Sequence, residues 1–454
     1  MKQILVIIAS CVLMSCKKYL EIPDPATQIA SSFVFDSDAT ATSAQLAIYS
    51  QMETDGLFYA IAAYTGLSAD EFINHSGLSE YEDLATNNLT ITNQFVHFLW
   101  SALYKYIYQA NAVLEGVSRS GKLTPAVKAQ LQGEAFFTRA ICHYYLTNLF
   151  GDVSIVKTTD YISNALLVRS PVAAVYAQMI ADLKEAKNYL VADYKSGINT
   201  ISMERVRPNK WAAAAMLARC YLHQGQWMEA ELEAGEVINS GTYSLAADLS
   251  TAFLKESPEA IFQLMAVLPG FNTFAGGNFI LINAPSILSV DPRFLDSFRP
   301  DDGRHGEWVN AISTGGGVFY FPYKYKVGQN AGSITEYTVV LRLAEQLLIR
   351  AEATAMQNKL ADSQSDLNLV RERAGLTGVS GLTQQDIIDS IQTERKFELM
   401  FEAGDRWINL KRSGATNSVL APLKGINWSE TDQLYPIPQQ ERLRNPNLSQ
   451  NPGY

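Results

Sequence analysis

Two adjacent acid pairs, Asp70-Glu71 and Asp301-Asp302, are the side chains here with the means to cleave a glycosidic bond. That reaction needs only two carboxyl groups, roughly 5–10 Å apart in space, one acting as acid and the other as base or nucleophile. Neighbouring acids on a loop are more often solvated turn residues, so no catalytic residue is assigned. Five histidines (His75, His97, His143, His223 and His305) form no H-E-x-x-H, and no C-x-x-C occurs. A metal site is therefore not expected. The glycine run Gly315-Gly316-Gly317 fits a turn better than a phosphate cradle, and no serine elbow or dinucleotide fingerprint is present. No cofactor is expected. Recognition chemistry remains. Tyr64, Asp70, Asn74, His75 and Tyr81 crowd one polar stretch; Phe271, Asn272, Trp308, Phe319 and Tyr320 crowd another. Rings of this kind stack on the apolar face of a sugar, while amides and acids hydrogen-bond its hydroxyl rim. These ten residues form the candidate ligand-binding set, on loops 64–88 and 270–323.

One further residue carries covalent chemistry. Met1-Lys2-Gln3 is a short cationic start, Ile4 to Met14 is nearly all apolar, and Ser15 precedes Cys16. A secretory signal has this shape. Leu13-Met14-Ser15-Cys16 resembles the lipobox of bacterial lipoproteins, in which the cysteine becomes the first mature residue and carries lipid. Cys16 is the candidate lipidation site. The apolar run is shorter than the roughly 20 residues a spanning helix needs. Cys11 leaves with the signal, and Cys142 and Cys220 read as buried thiols rather than a disulfide framework. The net charge of −10, without a basic cluster beyond Lys17-Lys18, argues against a nucleic-acid partner.

The elements that must position these residues are mostly helices. After the signal (1–15) and an extended tether (16–36), amphipathic patterning begins at Ser37-Asp38. Residues 65–93 read as irregular. Trp100, Leu103, Tyr104, Ile107, Tyr108 and Asn111 then share one helical face. Pro125 and Pro208 open helices that end near Gly151 and Gly225. Ala218, Tyr221, Gly225, Trp227 and Ala230 keep the spacing of a tetratricopeptide repeat, and Ala351, Thr354, Asn358, Leu360 and Ser363 repeat it. Helix pairs are therefore expected at 209–238 and 340–373, in a first helical region 37–240 and a C-terminal region 336–454. Between them, 241–335 turns to Gly, Asn, Pro and aromatics, with strand-like runs such as Ile261-Phe262-Gln263-Leu264. A long irregular insertion this aromatic is expected to be ordered and functional. The fold class is mainly α: a tetratricopeptide-like helical repeat scaffold with a loop-rich insertion containing short strands, about half of all residues being helical.

Residues 394–414 alternate charge (Arg395, Glu398, Glu402, Arg406, Arg412) with apolar positions (Phe397, Leu399, Phe401, Trp407, Leu410), as one amphipathic helix would. With Glu394, Asp291-Pro292-Arg293, Pro436-Ile437-Pro438, Asn445-Pro446 and the closing Gln450 to Tyr454, this segment resembles the SusD/RagB family of outer-membrane nutrient-binding lipoproteins. Asn409 stands where the family usually has Asp, and Ala403-Gly404-Asp405 varies its usual glycine. The resemblance implies four tetratricopeptide-like helix pairs and a variable loop-rich part. It implies a place on the outer face of the outer membrane, held by the N-terminal lipid. It implies a SusC-like TonB-dependent transporter as partner, and an oligosaccharide as cargo; a peptide, as in RagB-type members, and a secreted glycosidase are the alternatives. The family motifs themselves are expected to be structural.

Overall fold

The computed structural model describes residues 33–329 and 332–454. Cys16 and the signal segment lie outside them. Ser37 caps the first helix, Asp38–Thr54, by accepting from the Thr40 backbone N–H at 3.3 Å. Asn93 caps Gln94–Arg119 in the same way, and Pro125 opens Pro125–Phe150. The stack then continues in chain order. Pro125–Phe150 packs on Val172–Tyr189, which packs on Lys210–His223, which turns back as Trp227–Ile238. Trp227–Ile238 lies directly on Leu343–Met356, itself paired with Leu360–Arg373 and Gln384–Glu398.

Both expected repeat pairs form, and their turns explain the sequence. Gly225 (φ +64°) and Asn358 (φ +61°) each sit just past a helix end in the left-handed region. The next residue's N–H reaches back to the Tyr221 or Thr354 carbonyl, at 2.9 Å in both cases, which closes a Schellman turn. Ala212 to Ala215 and Ala218 are fully buried, so small side chains let the helices approach. Cys142 and Cys220 are buried free thiols in the same stack.

The insertion leaves the stack and returns to the same place. Ala260–Leu264 pairs antiparallel with Thr338–Arg342, Ala260 opposite Arg342 and Leu264 opposite Thr338. Every residue of both strands is buried. This two-stranded clasp keeps Trp227–Ile238 beside Leu343–Met356 although about a hundred residues intervene. Two further small sheets stand outside it: Phe72–Asn74 with Leu288–Val290, and the hairpin Val309–Thr314 with Gly317–Pro322.

Two expectations need correction. Residues 65–93 are not irregular throughout: Leu57–Ser68 and Ser79–Thr86 are helical. Every residue of the first of these helices but Tyr59 is buried, so it sits deep in the core without a polar face. Residues 394–414 do not form one helix. Gln384–Glu398 ends, the chain turns through Phe401 (φ +62°), Ala403 (φ +38°) and Gly404 (φ +77°), and Asp405–Arg412 begins. The charges that suggested a continuous amphipathic helix are spent on buried ion pairs instead. Arg395 meets Asp405 at 2.5 Å, Arg406 meets Asp70 at 2.7 Å, and Arg412 meets Glu352 at 2.5 Å. The closing tail is fastened by Asn451, whose amide donates to the Phe150 and Tyr435 carbonyls.

Two buried acids make stability depend on pH. Glu53 accepts from the Phe274 N–H at 3.2 Å and Glu71 from the Phe401 N–H at 2.7 Å. Among the described residues neither has a cation within ion-pair distance. Burial pushes Glu53 up to about 7 and Glu71 up to about 8. In the unfolded chain both ionise near pH 4.5, so between that pH and about 7 these two acids hold more protons in the native state. Stability should fall as pH rises through this window, by up to about 1.4 kcal/mol per pH unit for each group. Burial also pushes Lys411 down to about 7 and Lys324, Lys396 and Lys424 down to about 8. Above about pH 7 the lysines dominate, the unfolded state holds the extra protons, and stability should recover toward pH 10. Urea midpoints should pass through a minimum near pH 7. A flat profile from pH 5 to 9 would refute the assignment.

Candidate functional site

The strand Phe72–Asn74 carries the first polar stretch to the molecular surface. Its pairing with Leu288–Val290 sets Ile73 opposite Ser289 and Asn74 opposite Leu288. The His75 N–H extends the pairing to the Ile287 carbonyl at 2.7 Å. That fixes the imidazole, whose Nε2 lies 2.8 Å from the Ser289 hydroxyl. The hairpin strand Gly317–Pro322 packs beside Leu288–Val290. It brings the half-buried Phe319 ring edge-on to His75, centroids 5.6 Å apart at 85°. Partial burial lowers the His75 pKa, so its ring is neutral at pH 7 and free to accept or donate.

A cleft of about 220 Å³ opens along the strand Phe72–Asn74. Asp70, Asn74, Glu82, Arg293 and Lys424 supply its polar groups, and Phe72, Ile73 and Leu423 its apolar floor. Arg406 grips Asp70 through two 2.7 Å hydrogen bonds. Burial alone would raise the Asp70 pKa, but Arg406 outweighs it and holds the carboxyl below its ordinary range. Glu82 accepts from the Asn74 amide at 2.9 Å. Asp291 orients Arg293 through its Nε and Nη2, yet the guanidinium stays largely in water, with 62% of its side chain exposed. Lys424 donates to the Leu67 and Ala85 carbonyls at 2.7 and 2.8 Å, which ties the cleft's back wall together. Cleft and ring pair offer an aromatic ring, an imidazole, an amide, a carboxylate and the exposed guanidinium of Arg293. Together they can stack on one ring and hydrogen-bond its hydroxyls. Among the described residues no group of His, Cys, Asp or Glu is clustered to hold a metal.

Of the ten candidate residues, Asp70 and Asn74 line the cleft, while His75 and Phe319 meet each other outside its lining. Tyr320 does not join them: it sits opposite Ala311 on the other face of the hairpin and rests on the core. Phe271 is half-buried with its ring over Gly277. Four residues are corrected from ligand contacts to structural ones. Tyr64 stacks on Phe95 with centroids 4.6 Å apart, and Tyr81 meets the same ring edge-on. Asn272 is buried, its Oδ1 accepting from the Thr335 and Glu336 N–H groups to staple the insertion. Trp308 is completely buried and donates from Nε1 to the Leu249 carbonyl. The adjacent acids also part company. Asp302 is buried against Arg304, whereas Asp301 is exposed and paired with Arg299. Glu82, Arg293 and Lys424 were missed. Arg293 stood in a sequence motif, but nothing local marks Lys424, which reaches the cleft only through the tertiary fold.

Comparison with known proteins follows the same lines. Residues 18–222 match a family described as "Starch-binding associating with outer membrane", and residues 308–454 match the SusD family. The chain is 24% identical to SusD-like protein P25 of Formosa agariphila over 532 aligned positions, covering 99% of this chain and 98% of that one. A SusD superfamily protein from Bacteroides vulgatus superposes with a TM-score of 0.80 at 21% identity, covering 92% of this chain and 100% of that one. A laminarin-binding SusD-like protein superposes with a TM-score of 0.76 at 21% identity, over 91% and 99%. Among the described residues no helix is long and apolar enough to cross a membrane.

Proposed function

This chain belongs to the SusD/RagB family, and from that premise we propose that it is a cell-surface lipoprotein that captures an oligosaccharide and delivers it to a SusC-like TonB-dependent transporter. Cys16 supplies the lipid anchor in this reading, and each buried CH₂ of its acyl chains contributes about 0.8 kcal/mol to membrane attachment. The observation that carries the binding role is the cleft lined by Asn74, Glu82 and the exposed Arg293, on the strand whose next residue, His75, meets Phe319. The starch-binding description of the matched family and the laminarin-binding neighbour support a glucan as cargo. In this reading the protein binds its ligand without cleaving it: Asp302 is paired with Arg304, Asp301 with Arg299 and Asp70 with Arg406.

Stacking with a few convergent hydrogen bonds yields micromolar affinity, about −8 kcal/mol. Titration calorimetry with laminarin and starch oligosaccharides should show binding of this order. Phe319→Ala and Arg293→Ala should each weaken it about tenfold, a loss of about 1.4 kcal/mol. Both side chains are partly exposed, so melting temperatures should hold. Normal binding by both variants would move the site elsewhere. A protein that ignores every glucan and binds peptides would overturn the cargo.

A further inference from the structure

Where the C-terminal tail crosses the helix stack, it closes off a second cleft of about 760 Å³. Small-ligand sites occupy about 300–1,000 Å³. Its walls are rich in neutral hydrogen-bonding groups: Asn148, Gln224, Gln433 and the Tyr176 hydroxyl. Three cations also line it, Lys411, Arg169 and Arg412. Lys411 Nζ donates to the Asn148 carbonyl. Arg169 donates to the carbonyls of Asp152, Phe150 and Ser449 and to the Asn451 side chain. All of these acceptors are neutral. Among the described residues neither Lys411 nor Arg169 has a carboxylate within ion-pair distance.

The acids around the cleft do not pair directly with either of these two cations. Arg412 is matched by Glu352. His223 is held neutral by burial and by Arg412, Arg395, Arg219 and Lys411 around it. It shares a proton with Tyr176 at 3.1 Å and adds no charge of its own. The cleft's two acids are Asp152, which accepts from the Val172 N–H at 3.0 Å, and the exposed Glu430. Burial pushes Lys411 down to about 7. A half-buried cation without a counter-ion is costly, and an incoming anion would relieve that cost.

We propose that this cleft is a second ligand site for an acidic saccharide, with Lys411 receiving a sugar carboxylate, Arg169 adding positive charge beside it, and Asn148, Gln224 and Gln433 receiving its hydroxyls. The site is separate from the cleft at Asn74 and Arg293 and stands whether or not that cleft binds a glucan.

Trigalacturonate, with maltotriose as the neutral control, can be titrated against the purified protein at pH 6 and low salt. Trigalacturonate should bind at least about tenfold more tightly, and its affinity should fall as salt rises. Lys411→Gln should weaken it about tenfold while Lys411→Arg retains most of it. Glu430→Gln removes a repulsive charge from an exposed position and should strengthen binding about twofold to threefold. Thermal melts check each variant, and if Lys411→Gln fails to fold, the Glu430→Gln and salt measurements still decide. Equal affinity for the two trisaccharides overturns the proposal. So does trigalacturonate binding that Phe319→Ala abolishes, or that neither Lys411→Gln nor Glu430→Gln changes.

Discussion

Replacing Trp308 with alanine should cost about 3–5 kcal/mol of stability, the range for losing a buried tryptophan. The ring is completely buried. Phe253 meets it edge-on with centroids 5.7 Å apart. Lys324 Nζ lies 4.4 Å from its centroid, and the Arg373 and Arg342 guanidiniums lie 5.3 and 5.9 Å away. Each cation gains from the negative face of the indole, by up to about 2 kcal/mol when desolvated. Truncation would leave a cavity ringed by three cations and strip the Leu249 carbonyl of its 2.9 Å donor. Trp308→Phe should recover part of the loss, because the face remains and the N–H does not. Urea unfolding measures both. A Trp308→Ala protein that melts within about 2 °C of the parent would contradict the packing argument.

Trp308 also shows what sequence reading can and cannot deliver. The repeat pairs were legible because Ala218, Tyr221, Gly225 and their counterparts around Asn358 obey a local rule: small residues at the crossing, a left-handed residue at the turn. The irregular insertion was legible from composition. Within it, however, an aromatic residue looks the same whether it faces water or core. Trp308 ends a short helix and is swallowed by charges from Lys324, Arg342 and Arg373, all distant in sequence or on another element. Asn272 carries the amide that a sugar site needs, but the backbone of 335–336 consumes it. Tyr64 and Tyr81 find Phe95, a partner at the start of a helix they do not belong to. His75 and Phe319 were named separately; that they touch depends on a strand pairing across some two hundred residues. The sequence marks which side chains could bind a sugar, while long-range pairing decides which remain free to.

Glu398→Ala should be more damaging than Trp308→Ala, and its effect should reach the ligand hairpin. Three arginines converge on this one buried carboxylate. Oε1 accepts from Arg342 Nη1 at 2.6 Å and from Arg373, and Oε2 accepts from Arg304 Nη1 at 3.1 Å. Burial by itself would raise the Glu398 pKa, but Arg373, Arg342 and Arg304 overcome it and hold the group ionised well below the ordinary range. Removing one partner of a buried ion pair costs about 3–5 kcal/mol because a bare charge is left behind. Here each arginine would keep another carboxylate, Asp302 and Glu394 for Arg304, Glu402 for Arg342 and Glu259 for Arg373, but the buried cluster would lose the one anion that all three share. Lys324 also donates to the Glu398 carbonyl, so the same pocket anchors the segment just after the hairpin Val309–Pro322 that presents Phe319. Loosening it should speed amide hydrogen exchange across 309–322 before the repeat helices are affected. Glu398→Gln keeps the shape and one acceptor oxygen, and it should fall between the parent and the alanine variant. Unfolding free energies and exchange rates together test this. A Glu398→Ala protein within about 1 kcal/mol of the parent would mean that these other carboxylates suffice. Full loss of stability with unchanged exchange in 309–322 would separate the hairpin from the cluster.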